Sequence, residues 1–322
     1  MAVNASASVP TIRARIAAVA LVGLAAAVSV SSAAAADSQA GQQKEPRTER
    51  PGCVTDDLAR AVCLEAPAER IIALSPSLTE LAYAAGAGEA LVGAVSFSDY
   101  PPEAEALPRV GSYNRLDIEA ILALEPDLVL AWNGGSPQTQ LDQLSALGLP
   151  VYYSDAQDFA AIAYTIERLG QLSGQQSQAN REAQRVRDGV ATLEQRYKDA
   201  APVSVFYQIW EKPLMTINGE HWISRSLTLC GGVNQFADAD ALVPRPSIEN
   251  VLAGDPEAII TGGLGEPESE WLDSWQRFTQ LSAVQHDNLL VIDPDLVHRA
   301  TPRLLEGTRQ LCELLDDVRE RR

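Results

Sequence analysis

"LDIEAILALEPDLVLAWNGG", residues 116–135, decides the fold, because a second version of it, "PSIENVLAGDPEAIITGGLG", stands at residues 246–265. Aligned without gaps, the copies match Ile118 with Ile248, Glu119 with Glu249, Leu122 with Leu252, Ala123 with Ala253, Pro126 with Pro256 and Gly135 with Gly265, every pair 130 residues apart. Each copy reads as a helix, a turn at proline, a short apolar strand and a glycine-rich exit. Positions 118, 121 and 122, like 248, 251 and 252, are apolar at helical spacing and give the helix one buried stripe. Proline disfavours the helical conformation in its predecessor and so ends the helix. Glu119 and Glu249 are different, since no packing argument demands glutamate there. A helix dipole modestly favours an acid in the first turn. Two acids at equivalent places on two related units also form a pseudo-symmetric pair, suited to a symmetric cationic partner.

The same alternation extends outward from both copies. "RIIALSPSLTELAYAAG" gives a strand from Ile71 to Leu74 and a helix that a capping box of Ser77 with Glu80 opens and Gly86 closes. "ALVGAVS" is a strand, Asp117 caps the first repeat helix, "DLVLAW" is a strand, and "TQLDQLSALG" with "LPVYYS" repeats helix and strand. Between 158 and 199 the pattern becomes purely helical, marked by Phe159, Ile162, Ile166 and Leu169 and then by Ala179, Ala183, Val186, Val190, Leu193 and Tyr197. At 1.5 Å per residue the second of these helices reaches ~35 Å. Alternation resumes with "PVSVFYQIW", "SRSLTLCGG", the second copy, a helix carrying Trp271, Trp275 and Phe278, "LLVIDP" and a last helix from Pro302. Short continuous apolar strands between amphipathic helices imply parallel sheets covered on both faces. The expectation is an α/β fold of two Rossmann-like lobes, each with a central parallel sheet, joined by a long rigid helix. Its divisions are 1–36, 37–52, an N-terminal lobe 53–157, linking helices 158–200 and a C-terminal lobe 201–322. A chain of 322 residues exceeds the ~100–200 residues of a usual single core, which agrees.

Residues 1–36 read as an export signal: Arg13 and Arg15, an apolar run from Ile16 to Val30, then Ala33 to Ala36 as a cleavage site. The run is shorter than the ~20 residues of a membrane span, and no cysteine marks a lipid-anchored form. Residues 37–50, "DSQAGQQKEPRTER", are too polar to bury a core. With 25 basic against 43 acidic residues the net charge is −18, spread along the chain, which argues against nucleic acid and anionic lipid as partners. Four cysteines in an exported chain favour disulfides over free thiols. Cys53 and Cys63 flank "VTDDLARAV", a hairpin pattern around Asp56 and Asp57, and are paired locally, which leaves Cys230 and Cys312 to each other.

Catalytic patterns are lacking: there is no G-x-S-x-G, no H-E-x-x-H and no cysteine left over as a nucleophile. Histidines stand only at 221, 286 and 298, too few for a dedicated metal site. The Gly-Gly pairs at 134, 231 and 262 lack a P-loop lysine and read as element ends.

"SPSLTELAYAAG", "FSDYPP", "IEAILALEPDLVLAWNGG", "LDQLSALGLPV", "CGGVNQF", "AIITGG" and "ATPRLLEGTRQLC" together resemble one family, from about Ile71 to Cys312. The chain is similar to periplasmic substrate-binding proteins of ABC importers with a helical connection between lobes, and "FSDYPP", "AWNGG" and "LDQL" point to the cobalamin branch. The resemblance implies a periplasmic, monomeric carrier, not an enzyme, with a ligand cleft between the lobes. Its ligand would be a transported corrinoid, its only other partner a two-fold permease, and it would need no cofactor or metal of its own. It places Glu119 and Glu249 on permease arginines, and Cys230 with Cys312 on the family's disulfide. Carried over residue by residue, the cleft includes Ser77, Phe97, Tyr113, Trp132, Ile209 and Trp210, with Asp295 and Arg299 as polar contacts. Arg245, Leu296 and Val297 stand where the cobalamin branch tends to be aromatic, Arg245 being counted with the cleft, and His298 lies beside the polar pair. Flat aromatic side chains suit a corrin, a broad macrocycle rimmed by amides. Haem or a ferric siderophore is the alternative ligand within the fold.

Overall fold

The computed structural model describes residues 52–263 and 268–322. The export signal, the lead-in up to residue 51 and Gly265 of the second copy lie outside the described residues. The first described element pair is the hairpin of β1 (Cys53–Thr55) and β2 (Ala61–Cys63), antiparallel with Cys53 opposite Cys63. The two cysteines are bonded, as the spacing predicts. Then follow β3 (Ile71–Ala73), α1 (Pro76–Ala84), β4 (Leu91–Ala94), the small hairpin β5 (Gly111–Ser112) and β6 (Arg115–Leu116), α2 (Ile118–Ala123), β7 (Leu128–Trp132), α3 (Gln138–Ala146) and β8 (Val151–Ser154). The helices α4 (Phe159–Leu172) and α5 (Gln176–Tyr197) come next. Beyond them lie β9 (Val203–Gln208), α6 (Trp222–Leu229), β10 (Gly232–Asn234), α7 (Ile248–Gly254), β11 (Ala258–Thr261), α8 (Glu268–Gln276), α9 (Ser282–Gln285), β12 (Leu289–Val291), α10 (Pro294–Val297) and α11 (Leu304–Glu320).

Two four-stranded parallel sheets result, in the orders β4-β3-β7-β8 and β10-β9-β11-β12. The orders are equivalent: in each lobe the first strand is second in the sheet and the repeat strand lies beside it. The repeat is preserved because it builds this junction twice. Asp117 and Ser247 cap α2 and α7 by accepting from the Ala120 and Asn250 amides. Both helices give way to a residue of positive φ directly before proline, Glu125 at 44° and Asp255 at 40°. One residue past each proline an acid ties the repeat strand to its neighbour. Asp127 accepts from the Glu69 and Arg70 amides ahead of β3, and Glu257 accepts from the Ser204 amide of β9.

Side chains alternate along every central strand, and both alternating sets are buried. Ile71, Ala73, Leu128, Leu130, Val203, Val205, Ala258 and Ile260 belong to one core that also holds Ile162, Ile166, Val186 and Leu304 from α4, α5 and α11. The opposite faces form two separate cores, Ile72, Leu74, Val129 and Ala131 in one lobe and Phe206 and Ile259 in the other. Burial on both faces is why these strands read as unbroken apolar runs. The linking helices are thus packed into a core shared with both sheets, so lobe opening meets side-chain packing rather than a free hinge. α5 has 22 residues, about 33 Å at 1.5 Å per residue.

Two local expectations change. Ser75, not Ser77, caps α1, accepting from the Leu78 amide, because Pro76 takes the first helical position, where its fixed φ fits and its missing N–H costs nothing. Phe278 lies beyond α8, which ends at Gln276, and instead packs against Trp275 at 5.9 Å between ring centres.

The second disulfide, Cys230 to Cys312, closes 82 residues, whereas Cys53 to Cys63 closes 10. Loop-closure entropy assigns about 4.5 kcal/mol to the longer link and about 2.7 kcal/mol to the shorter. Replacing Cys230 and Cys312 by serine is therefore expected to lower the thermal midpoint more than replacing Cys53 and Cys63, a comparison calorimetry checks directly.

Candidate functional site between the lobes

Parallel strands end where chain turns into helices, and ligands of open α/β sheets sit at that edge. Here two adjoining hollows lie there. The first, of ≈ 290 Å³, is lined in the N-terminal lobe by Ser75 at the cap of α1, Pro76, Ser77, Leu78 and Leu81 of α1, Tyr113 at the tip of the β5–β6 hairpin, Trp132 at the end of β7, and Ser154 and Ala156 at and beyond the end of β8. The C-terminal lobe closes it with Trp222, His298, Arg299 and Ala300. The second, of ≈ 260 Å³, is lined by Ile209, Trp210, Met215, His221, Trp222, Ile223 and His298. Trp222 and His298 border both.

Each aromatic has a local reason for its position. Trp132 closes β7 in a turn where its amide donates to Ser136 Oγ at 3.1 Å and its carbonyl accepts from the Ser136 amide at 3.0 Å. The indole lies over Gly135, where any side chain would collide with it. That contact explains the glycine in the first repeat copy. At the equivalent strand end of the other lobe stands Gly262, where an added Cβ would come within 3.0 Å of Tyr207 Oη and 3.3 Å of His298 Nε2. Trp210 begins a loop that returns to pair with Met215, and its indole N–H donates to the Lys212 carbonyl at 3.1 Å. The N-terminal hairpin braces the far wall. The Asp57 amide donates to the Tyr153 carbonyl at 3.1 Å, and the Asp57 carboxylate accepts from the Asp155 amide, on either side of Ser154.

Arg299 joins the lobes. Its Nη1 donates to Glu80 Oε1 at 2.8 Å and to Asp99 Oδ1 at 2.7 Å, and its Nη2 donates to the Phe97 carbonyl at 3.3 Å. Arg303 Nη1 stands 3.6 Å from the same Glu80 oxygen. Burial raises the Glu80 pKa in spite of both arginines. Asp99 is less enclosed: burial opposes its charge, but the Arg299 hydrogen bond and charge prevail and hold its pKa below the usual range. The two cleft imidazoles are neutral at physiological pH. Burial lowers His221 to about 4, with His298 adding to the effect, and burial lowers His298 to about 4 against the opposing charge of Asp295. His221 Nδ1 accepts from the Ile223 amide at 3.2 Å and caps α6, while His298 Nε2 lies 3.4 Å from Tyr207 Oη.

Of the residues predicted from sequence, Ser77, Tyr113, Trp132, Ile209, Trp210 and Arg299 line the hollows. Phe97, Arg245 and Asp295 are exposed and line neither. Phe97 has φ of 65° and is 72% exposed, because Ser98 beside it is buried and bonded to Thr79 and Arg109 while Asp99 is held by Arg299. Asp295 does not pair with Arg299, whose partners lie in the other lobe. Glu119 and Glu249 are exposed, away from both hollows. Sequence reasoning missed Trp222, although a signal existed: α6 follows β9 as α1 follows β3, so Trp222 and Pro76 hold the same helical position at the same sheet edge. Among the described residues no group of three or more His, Cys, Asp and Glu is arranged to hold a metal ion.

The family profile described as Periplasmic binding protein matches residues 71–296. The chain belongs to this family. A vitamin B12-binding protein of Vibrio cholerae serotype O1 is 41% identical over 249 residues, covering 77% of this chain and 90% of the relative. One of Yersinia pestis is 41% identical over 251 residues, covering 78% and 88%. The crystal structure of the periplasmic vitamin B12 binding protein of Vibrio cholerae superposes with a TM-score of 0.72 at 39% identity, over 79% of this chain and 99% of that one. In this periplasmic binding protein the hollows are lined from both lobes, with Trp132 at a strand end, Tyr113 at a hairpin tip and Trp222 at a helix start. No helix among the described residues is long and apolar enough to cross a membrane.

Proposed function

We propose that the chain is an exported periplasmic carrier that captures cobalamin or a related corrinoid between its lobes and delivers it to the two-fold permease of an ABC importer, with no catalysis of its own. The observation that carries this reading is the aromatic cleft, in which Tyr113, Trp132, Trp210 and Trp222 face two hollows with few polar groups. Each hollow alone falls just short of the ~300–1,000 Å³ of small-ligand sites, so a broad macrocycle would span both. Relatives 41% identical that are named for vitamin B12 support the choice of ligand. Ser77, Tyr113, Trp132, Ile209, Trp210 and Arg299 are the proposed contacts, and residues 1–36 the export signal, with the mature chain starting near Asp37. Haem is the alternative ligand: His221 and His298 both border the second hollow, with one ring nitrogen of each engaged, His221 Nδ1 in the α6 cap and His298 Nε2 against Tyr207, and the relatives named for vitamin B12 favour the corrinoid over it.

Calorimetric titration of the mature chain with cyanocobalamin, dicyanocobinamide and haemin tests the proposal. Tight one-to-one binding of the corrinoids, with haemin weaker by at least tenfold, is the expected result. Preferential haemin binding would overturn the ligand assignment.

A further inference from the structure

Trp222 borders both hollows, and nothing in the sequence patterns or the family resemblance singles it out. Its setting differs from that of the buried tryptophans. Trp271 and Trp275 are 4% and 2% exposed and pack within the C-terminal lobe, whereas Trp222 is half-buried and faces the cleft. Its indole is fixed in three ways. It opens α6, so its backbone is helical from the first residue. Its N–H donates to the Val297 carbonyl at 2.8 Å. Its ring lies against the His221 imidazole, with centres 4.0 Å apart and planes inclined by 34°. His221 is itself held by the Ile223 amide and is neutral, so the stack carries no charge.

The N–H is thus already satisfied, and the indole offers the cleft only its carbon surface. A side chain ordered before ligand arrives loses little further entropy on contact, the condition under which an aromatic contributes most to binding. The C-terminal lobe otherwise presents Trp210 to the second hollow alone, and Arg245, at the position where an aromatic was expected, is exposed and lines neither hollow.

We propose that Trp222 is the preorganised aromatic platform of the C-terminal lobe, the surface on which a bound corrinoid rests where it crosses from one hollow to the other. The inference rests on the carrier reading above and names a residue that contributes to its affinity. Binding is shared between Trp132 from one lobe and Trp222 from the other, and His221 acts as a positioning residue behind the latter.

The test is titration of wild type, Trp222→Ala and Trp222→Phe with cyanocobalamin. Loss of a central aromatic anchor weakens binding about 30-fold or more. Trp222→Phe keeps an aromatic face while losing the bond to Val297 and part of the ring area, so its affinity is expected within about fivefold of wild type. Should Trp222→Ala fold poorly, fluorine NMR of the 5-fluorotryptophan-labelled wild type gives the same answer. The resonance missing from Trp222→Phe must shift when cyanocobalamin is added. Wild-type binding with Trp222→Ala within twofold, or with that resonance unmoved, overturns this inference and leaves the carrier reading standing. Failure of the wild type to bind any corrinoid overturns both.

Discussion

Reversing the charge at both Glu119 and Glu249, to lysine, is expected to abolish delivery of cyanocobalamin to the importer and to leave the affinity for cyanocobalamin within about twofold of wild type. Both side chains are exposed in the first turns of α2 and α7, and neither borders the hollows, so ligand contacts are not touched. The two helices are built alike, from a capped start to a positive-φ residue before proline, and each carries its glutamate at the second helical position. A two-fold permease would meet the same charge in the same local geometry on each lobe. Like charges opposed at an interface cost several kcal/mol, while a favourable pair at the rim mainly sets orientation and encounter rate. One reversal alone should leave partial uptake, since the other lobe still docks. Uptake of radiolabelled cyanocobalamin by cells carrying the cognate importer, with calorimetry on the purified variants, separates the outcomes. Weakened binding would place the glutamates in the cleft, and undiminished uptake would remove them from docking.

Acid is expected to destabilise the fold through its two cleft histidines. His221 and His298 titrate near 4 in the folded chain against about 6.5 in an unfolded one. Between these values the unfolded chain binds more protons, so stability is fully present above about pH 6.5 and drains away as pH falls toward 4. At pH 4.5 the loss is on the order of 2–3 kcal/mol per histidine. Glu80 acts in the opposite sense, since its raised pKa favours the folded state as pH falls through the carboxylate range, and it partly offsets the loss. His221→Asn separates the contributions. Asparagine caps helices well, so α6 keeps its start, but it does not titrate. Urea unfolding at pH 7.5 and 4.5 should show the variant losing roughly 2–3 kcal/mol less than wild type across that range. Equal losses would mean that His221 is not buried as a neutral cap.

Much of this architecture could be read from residues alone because its determinants are local. Strands buried on both faces leave apolar runs such as Leu128–Trp132, prolines 126 and 256 punctuate the helices, and Asp117 announces its cap. The cap of α1 was displaced by two residues because Pro76 claims the first helical position and hands the role to Ser75. The cleft was legible where its residues follow strands directly, as Trp132, Ile209 and Trp210 do. It was not legible where geometry depends on distant chain. Arg299 finds Glu80 across 219 residues, and that ion pair, rather than one with Asp295, is set by the approach of the lobes. Phe97 is a cleft residue by resemblance, and with its neighbours Ser98 and Asp99 anchoring the loop its ring is left 72% exposed and lines neither hollow. Trp222 escaped notice because a helix start after a strand shows its equivalence to Pro76 only once both sheets have the same strand order.

The central claim is that one corrinoid lies between the lobes against aromatic faces from each. A crystal structure of the mature chain with cyanocobalamin measures this directly. The account predicts one ligand filling both hollows, with Trp132 on one side and Trp222 on the other. A ligand bound elsewhere on the surface, or held by one lobe without either tryptophan, would contradict it.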